Sequence, residues 1–308
     1  MKVNFSEYRV HPAGGFANHA KDYGHIEVVP LSSAMGAEIR GVELANITDE
    51  QVTELEDALF CHKMVYLRDQ TMTLNDQEAL TLRFGEFGRD AYSQGVEGHP
   101  NIQRVVKEAE NRVPNVFGGS WHTDSPFLPR PPALTLLYGT DIPPYGGDTL
   151  WADTALAYEY LSDTMKKVIA PLRAHRSART ILATIHKNAA VSAGESMGSM
   201  KLNPDEQIMV DGSYHPIVRT HPRTGKKALY VDPSYTLGIE GMTDGEAEAV
   251  LGFLCDHITQ EAFTCRLRWE KNSFVMWDNR ACLHHAFNDY DGFRREMWRT
   301  IVDGEVPV

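Results

Sequence analysis

The chain has 308 residues, a formal net charge of −12, 42% hydrophobic residues and 23% charged residues, a composition that supports a sizeable core and excludes general disorder. The negative charge is spread along the chain and no Lys/Arg-rich run stands out, which argues against nucleic acid or an anionic membrane as a partner. Cys61, Cys255, Cys265 and Cys282 form no C-x-x-C pair, and the sequence has neither a signal-peptide core nor a long apolar span, so the expectation is a soluble protein of the reducing cytoplasm.

The length allows two average domains, but β-barrel and sandwich folds often run past 200 residues as one unit, and one large domain with insertions is expected. After a polar lead, residues 1–25, the segments "HIEVVPL" and "GAEIRGVEL" read as short strands split by a turn at Ser32 to Met35. "TDEQVTELEDAL" opens with a Thr48/Gln51 capping-box pattern and puts Val52, Leu55 and Leu59 on one helical face. "MVYLRD" reads as a buried strand and "NDQEALTLRFG" as a short helix stopped by Gly85. Strands are expected at "IQRVVK", "SWHTD", "ALTLLYGT" and "DTLWAD", the last two joined by the turn "DIPPYGG".

From 180 to 204 the chain is rich in Ala, Ser, Gly and Met and has no clear period. A connection this long inside a compact domain is commonly a functional lid or a disordered segment, and the flanking order favours a lid. Strands return at "HPIVRTH", "KALYVD", "FTCRLRWE", "SFVMW" and "EMWRTIVD", with Phe263, Cys265, Leu267 and Trp269 alternating in the third. Between them "TDGEAEAVLGFLCDHI" carries a second capping box, Thr243 to Glu246. The pattern as a whole is a β core with flanking helices, and no repeat of solenoid or propeller length is visible.

The chemistry concentrates in "GGSWHTDSPF", Gly118 to Phe127. On a strand, His122 and Asp124 project from the same face and make half of a metal site. A mononuclear iron site of the 2-His-1-carboxylate type needs a second histidine and leaves three positions on one face open. "WDNRACLHHAF" offers His284 and His285, which face opposite ways on a regular strand, so one of the two can join. In a chain with 13 histidines an H-x-D pair also arises by chance. Cys282 and His284 form C-x-H, but no second thiolate pair stands at zinc spacing. No phosphate loop and no G-x-S-x-G elbow are present. His215 and His221 read as core-building residues.

The segments "WHTD", "GGDTLW", "HPIVRTHP" and "WDNRACLHHAFNDYDGFRREMWRT" resemble, from about Ile26 to Val302, the taurine dioxygenase/TfdA family of Fe(II)- and 2-oxoglutarate-dependent dioxygenases. The resemblance implies an α+β fold with a double-stranded β-helix (jelly roll) core, and takes 26–308 as a single dioxygenase domain. It implies His122, Asp124 and His284 as iron ligands, with His285 at a non-ligand position. Thr149 and Arg295 fall where the family contacts the far carboxylate of 2-oxoglutarate, a task suited to a guanidinium that donates two parallel hydrogen bonds. Arg299 shares a strand face with Arg295 at about 13 Å, and in the family its position reaches toward the substrate anion and the inner end of 2-oxoglutarate.

The implied reaction consumes Fe(II)-bound 2-oxoglutarate and O2, releases succinate and CO2, and hydroxylates an unactivated C–H bond of a small anionic molecule: a carboxylate, sulfonate or sulfate ester. Retention of Asp124 separates the chain from halogenases of this type, in which a small residue replaces the carboxylate. Phe127 and the lid point to an apolar substrate body. Taurine dioxygenases carry a histidine shortly after "FGE", and Asp90 stands at that place by ungapped count, which counts against taurine itself. The same residues also suit desaturation or cyclisation, and a non-catalytic jelly-roll binding protein is the alternative of a different class. Assembly as a homodimer or homotetramer follows from the resemblance alone.

Overall fold

The computed structural model describes residues 10, 16–89, 91–112, 116, 118–184 and 207–308. Its strands are β1 (Glu27–Pro30), β2 (Ala37–Arg40), β3 (Met64–Leu67), β4 (Gly95–Val96), β5 (His99–Lys107), β6 (Leu134–Asp141), β7 (Thr149–Asp153) and β8 (Arg173–Arg176). They continue with β9 (Ser213–Pro216), β10 (Val218–Thr220), β11 (Lys227–Leu229), β12 (Thr236–Ile239), β13 (Thr264–Leu267), β14 (Phe274–Asp278), β15 (Cys282–Ala286) and β16 (Arg295–Val302). The helices are α1 (Asp49–His62), α2 (Leu74–Leu82), α3 (Thr154–Glu159), α4 (Asp163–Ile169), α5 (Gln207–Asp211) and α6 (Asp244–Ile258).

Both expected capping boxes are present, Thr48 with Gln51 on α1 and Thr243 with Glu246 on α6. Each satisfies orphan N–H groups at a helix start. A third box, Thr73 with Asp76, starts α2, which ends at Leu82, where the Arg83 and Phe84 N–H groups bond back to Leu80 and Thr81, ahead of Gly85. On α1, Leu55 and Leu59 are fully buried and Val52 is half-buried.

An eight-stranded sheet runs β1-β2-β3-β14-β6-β16-β5-β4, and a three-stranded sheet runs β13-β7-β15. Helices α1 and α2 pack on the outer face of the large sheet, where Leu55, Leu59 and Leu80 meet Leu134, Leu136 and Phe274. Its inner face meets the small sheet: Met64, Val275, Trp277 and Met297 pack against Trp151, Cys265, Leu267 and Cys282. Two sheets closed face to face in this way form the double-stranded β-helix. Smaller sheets, β12-β8-β9 and β10-β11, pack with α6 around a further core that includes Ile217, Leu229, Leu254 and Phe263.

The turn "DIPPYGG" joins β6 to β7 as expected, and it carries the chain from the large sheet to the small one. One local expectation changes: "SWHTD" forms no regular strand, and His122 touches β15 through an isolated bridge to His284. The segment turns away at Ser125, whose φ of 41° is positive. The alternation in "FTCRLRWE" holds, with Phe263, Cys265, Leu267 and Trp269 all buried.

Most of the stretch read as a lid, 185–204, lies outside the described residues. Its described flanks contribute Leu182 and Met209 to one cluster with Tyr92, Phe127 and Tyr235. The N-terminal lead is docked where it is described: Phe16 packs on Tyr160 and Phe263, and the Asn18 side-chain amide donates to the carbonyls of Ser32 and Gly36.

Candidate active site

The site sits between the large and small sheets. Strand alternation sends Arg295, Met297 and Arg299 of β16 inward and Trp298 outward onto Tyr138. On β15 the same rule separates the adjacent histidines. His284 lines the cavity, while His285 packs outside against Trp121 and Phe287.

His122, Asp124 and His284 are all buried, and one ligand atom from each lies within 4.8 Å of the others. Asp124 Oδ1 is 3.9 Å from His122 Nε2 and 3.8 Å from His284 Nε2. His122 Nδ1 lies 2.7 Å from the Ser120 carbonyl, a contact that places a proton on Nδ1 and turns Nε2 toward the cavity as the atom available to a metal. Burial, with His122 and Arg299 nearby, pushes His284 well below its ordinary pKa and keeps it neutral. Two imidazoles and one carboxylate are the donor set of a facial-triad iron site, so the residues present fit the metal.

The cavity continues along Thr149, Trp151, Arg295 and Arg299. Thr149 Oγ1 accepts from the Trp269 indole N–H at 2.9 Å, which leaves the hydroxyl's own proton to be donated. Arg295 stands over the Trp269 and Tyr290 rings at 5.6 and 5.9 Å, and burial lowers its pKa. Its Nε and Nη2 are buried and have no hydrogen-bond partner among the described residues. A buried guanidinium with open donors beside a donating hydroxyl fits a carboxylate ligand. Arg299 Nη1 lies 3.7 Å from Asp124 Oδ1.

The remaining candidates sit elsewhere. Phe127 is fully buried in a cluster with Tyr92 and Tyr235, beside the cavity, and Tyr235 in turn meets the His122 ring at 6.1 Å. Asp90 lies outside the described residues. His215 donates to or accepts from no cavity group: its Nε2 is 2.9 Å from the Leu128 carbonyl, and His221 Nε2 is 2.7 Å from Asp278. Cys282 Sγ is turned to the Asp278 carbonyl at 3.1 Å rather than toward a metal.

Sequence reasoning passed over Thr135, Trp269, Trp277 and Asn279. Thr135 was the readable one: a lone hydroxyl in the apolar run "ALTLLYG" has to find a buried partner. It donates to Asp124 Oδ2 at 2.5 Å. Trp277 packs against the His284 ring at 4.7 Å.

A jelly roll with a buried His-Asp-His cluster, in a cavity between its sheets that also holds the open donors of Arg295, is the arrangement of a mononuclear non-haem iron oxygenase. The comparisons agree. The family model "Taurine catabolism dioxygenase TauD, TfdA family" matches residues 27–301, and the chain belongs to that family. It is an enzyme that uses Fe(II), 2-oxoglutarate and O2. An alpha-ketoglutarate-dependent sulfate ester dioxygenase of Pseudomonas putida is 31% identical over 92% of this chain and 91% of its own. An alpha-ketoglutarate-dependent sulfonate dioxygenase of Saccharomyces cerevisiae is 29% identical over 99% of this chain and 75% of its own. The crystal structure of a taurine dioxygenase from Burkholderia xenovorans superposes with a TM-score of 0.75 at 34% identity, covering 92% of this chain and 91% of that one.

Proposed function

We propose that His122, Asp124 and His284 hold Fe(II), that Arg295 and Thr149 take the far carboxylate of 2-oxoglutarate, and that the enzyme hydroxylates a small anionic organic molecule. A sulfate ester or sulfonate is the leading class, in line with the relatives, and a carboxylate is next. The observation that carries this reading is the convergence of three ligand atoms within 4.8 Å in the cavity that also holds the open donors of Arg295.

When bound, the iron with 2-oxoglutarate and O2 supplies the oxidising chemistry that puts oxygen into a C–H bond and releases succinate and CO2. The chain's own residues position and exclude water. The backbone of β15 and the Ser120 carbonyl orient the two imidazoles. Arg295 neutralises and aligns the cosubstrate, and Arg299, buried in a chain of net charge −12, offers positive charge on the substrate side. Hydroxylation of a carbon that bears a sulfate ester oxygen would collapse to an aldehyde and inorganic sulfate.

The proposal takes 26–308 as one dioxygenase domain. Support for the lid reading of 180–204 is that Leu182, at its start, and Met209, just past its end, share the cluster of Phe127 and Tyr235 next to His122. Among the described residues no helix is long and apolar enough to cross a membrane. The four cysteines form no disulfide, which supports the cytoplasm as the compartment. A homodimer or homotetramer belongs to the same proposal on family resemblance and is checked by light scattering.

The test follows succinate and oxygen with Fe(II), 2-oxoglutarate and ascorbate across alkyl sulfate esters, sulfonates, carboxylates and aryloxy acids. Substrate-stimulated succinate that is lost in His122→Ala and Arg295→Ala supports the assignment, and the best stimulant names the class. Absence of oxygen uptake with every compound overturns it.

A further inference from the structure

Asp124 has two carboxylate oxygens, and the structure treats them differently. Oδ1 faces the Nε2 atoms of both histidines. Oδ2 ends a chain of buried hydrogen bonds that begins at an indole. Trp277 Nε1 lies 2.9 Å from Asn279 Oδ1, Asn279 Nδ2 lies 2.8 Å from Thr135 Oγ1, and Thr135 Oγ1 lies 2.5 Å from Asp124 Oδ2. Trp277, Asn279 and Thr135 are 2%, 1% and 0% exposed, so water does not rearrange the chain.

The direction of every bond follows from its first member. An indole N–H only donates, so the amide oxygen of Asn279 must face Trp277 and its NH2 must face Thr135. The Thr135 oxygen therefore accepts from Asn279, and its single proton is committed to Asp124 Oδ2. The same Asn279 holds the ligand loop, since its backbone carbonyl accepts from Thr123 Oγ1 at 2.9 Å and its Oδ1 lies 3.4 Å from the Asp124 N–H.

We propose that the Trp277–Asn279–Thr135 relay makes Asp124 a ligand through Oδ1 alone, with Thr135 as the positioning residue that keeps Oδ2 off the metal. The inference rests on the assignment of His122, Asp124 and His284 as the metal ligands. Its consequence is a site with three positions open on one face. A carboxylate bound through both oxygens would occupy one of the positions that the cosubstrate and O2 need. Trp277 adds a second restraint, because its ring packs on His284 while its N–H orders the carboxylate.

The test measures Mn(II) binding to the full-length protein by electron paramagnetic resonance, without turnover, together with the melting point of the metal-free protein. Thr135→Val keeps the shape and removes the hydroxyl, and the expected result is Mn(II) affinity changed by about 10-fold or more in a metal-free protein that still unfolds cooperatively, at a melting point lowered by the two partners left unpaired. Thr135→Ser, which restores the donor, is expected to bind Mn(II) as the unmodified protein does. Equal affinity in Thr135→Val and the unmodified protein overturns the proposal, as does a Thr135→Ser variant no better than Thr135→Val. If Thr135→Val does not fold, Trp277→Phe decides, because it keeps a ring against His284 and releases the Asn279 amide to turn. Altered Mn(II) affinity at an unchanged metal-free melting point then supports the relay, and unaltered affinity overturns it. A protein that binds no Mn(II), or a His122→Ala variant that binds it normally, would instead remove the ligand assignment beneath the proposal.

Discussion

His122 and His284 are paired through their backbones: the His122 N–H donates to the His284 carbonyl at 3.0 Å, and the His284 N–H donates to the His122 carbonyl at 2.8 Å. The imidazoles of this pair lie with ring centroids 4.0 Å apart. Because β15 is itself paired with β7, the spacing of the two proposed ligands, far apart in sequence, is set by sheet hydrogen bonds and not by side-chain torsions alone. A loop residue bonded in this way resists the drift that long ligand loops otherwise show.

Gly118 supports that pair and is the first target. Its φ is +77°, and a Cβ there would come within 3.2 Å of His122 Cε1. Gly118→Ala is expected to cost about 1–2 kcal/mol from the left-handed backbone and to displace the ring. Mn(II) affinity should fall about tenfold, the equivalent of roughly 1.4 kcal/mol, read by metal titration beside urea unfolding.

Arg295→Lys keeps a charge but loses the planar fork. The buried Nε and Nη2, which have no partner among the described residues, are expected to serve the cosubstrate. Losing a charge-assisted bond is worth about 1.5–3 kcal/mol, so KM for 2-oxoglutarate should rise by one to two orders of magnitude, with a smaller change in kcat. Steady-state kinetics with varied 2-oxoglutarate measures it. Trp269→Phe, which removes the N–H held by Thr149, should raise the same KM by less.

Arg176 and Asp232 form a fully buried ion pair, and Asp232 Oδ1 also accepts from the N–H groups of Ser234 and Tyr235 at 3.0 and 2.7 Å. Asp232→Ala strands the guanidinium and is expected to destabilise the fold by about 3–5 kcal/mol. Since Tyr235 packs on His122, the variant should also bind Mn(II) more weakly. Urea unfolding and metal titration check the two effects separately.

Burial pushes the His215 imidazole down to about 4, against the opposing pull of its bond to the Leu128 carbonyl. The unfolded chain protonates this group near its ordinary value of about 6.5, while the folded chain stays neutral until about 4. Its stabilisation is therefore complete above about pH 6.5 and is lost as the pH falls toward 4, by at most about 1.4 kcal/mol per pH unit. His215→Gln can still donate to Leu128 but does not titrate. It should lower stability at neutral pH and flatten the decline between about pH 6.5 and 4.5, measured by urea unfolding of the metal-free protein.

Local signals carried the sequence a long way. Capping boxes at Thr48 and Thr243 and the alternation from Phe263 to Trp269 describe interactions within a few residues, and such interactions are the same in any fold that contains them. The opposite facing of His284 and His285 also follows from strand geometry. Motif resemblance then placed His122, Asp124, Thr149, Arg295 and Arg299 on one list. Tertiary structure decided what neighbouring residues cannot. The segment around His122 is a single bridge to β15 rather than a strand, because the chain leaves extended geometry at Ser125, where φ is 41°. β6 and β7 lie in different sheets although a short turn joins them. Thr135, Trp277 and Asn279 meet Asp124 only because strands from both halves of the sequence pack against one loop, and a buried polar group takes whichever partner that packing supplies.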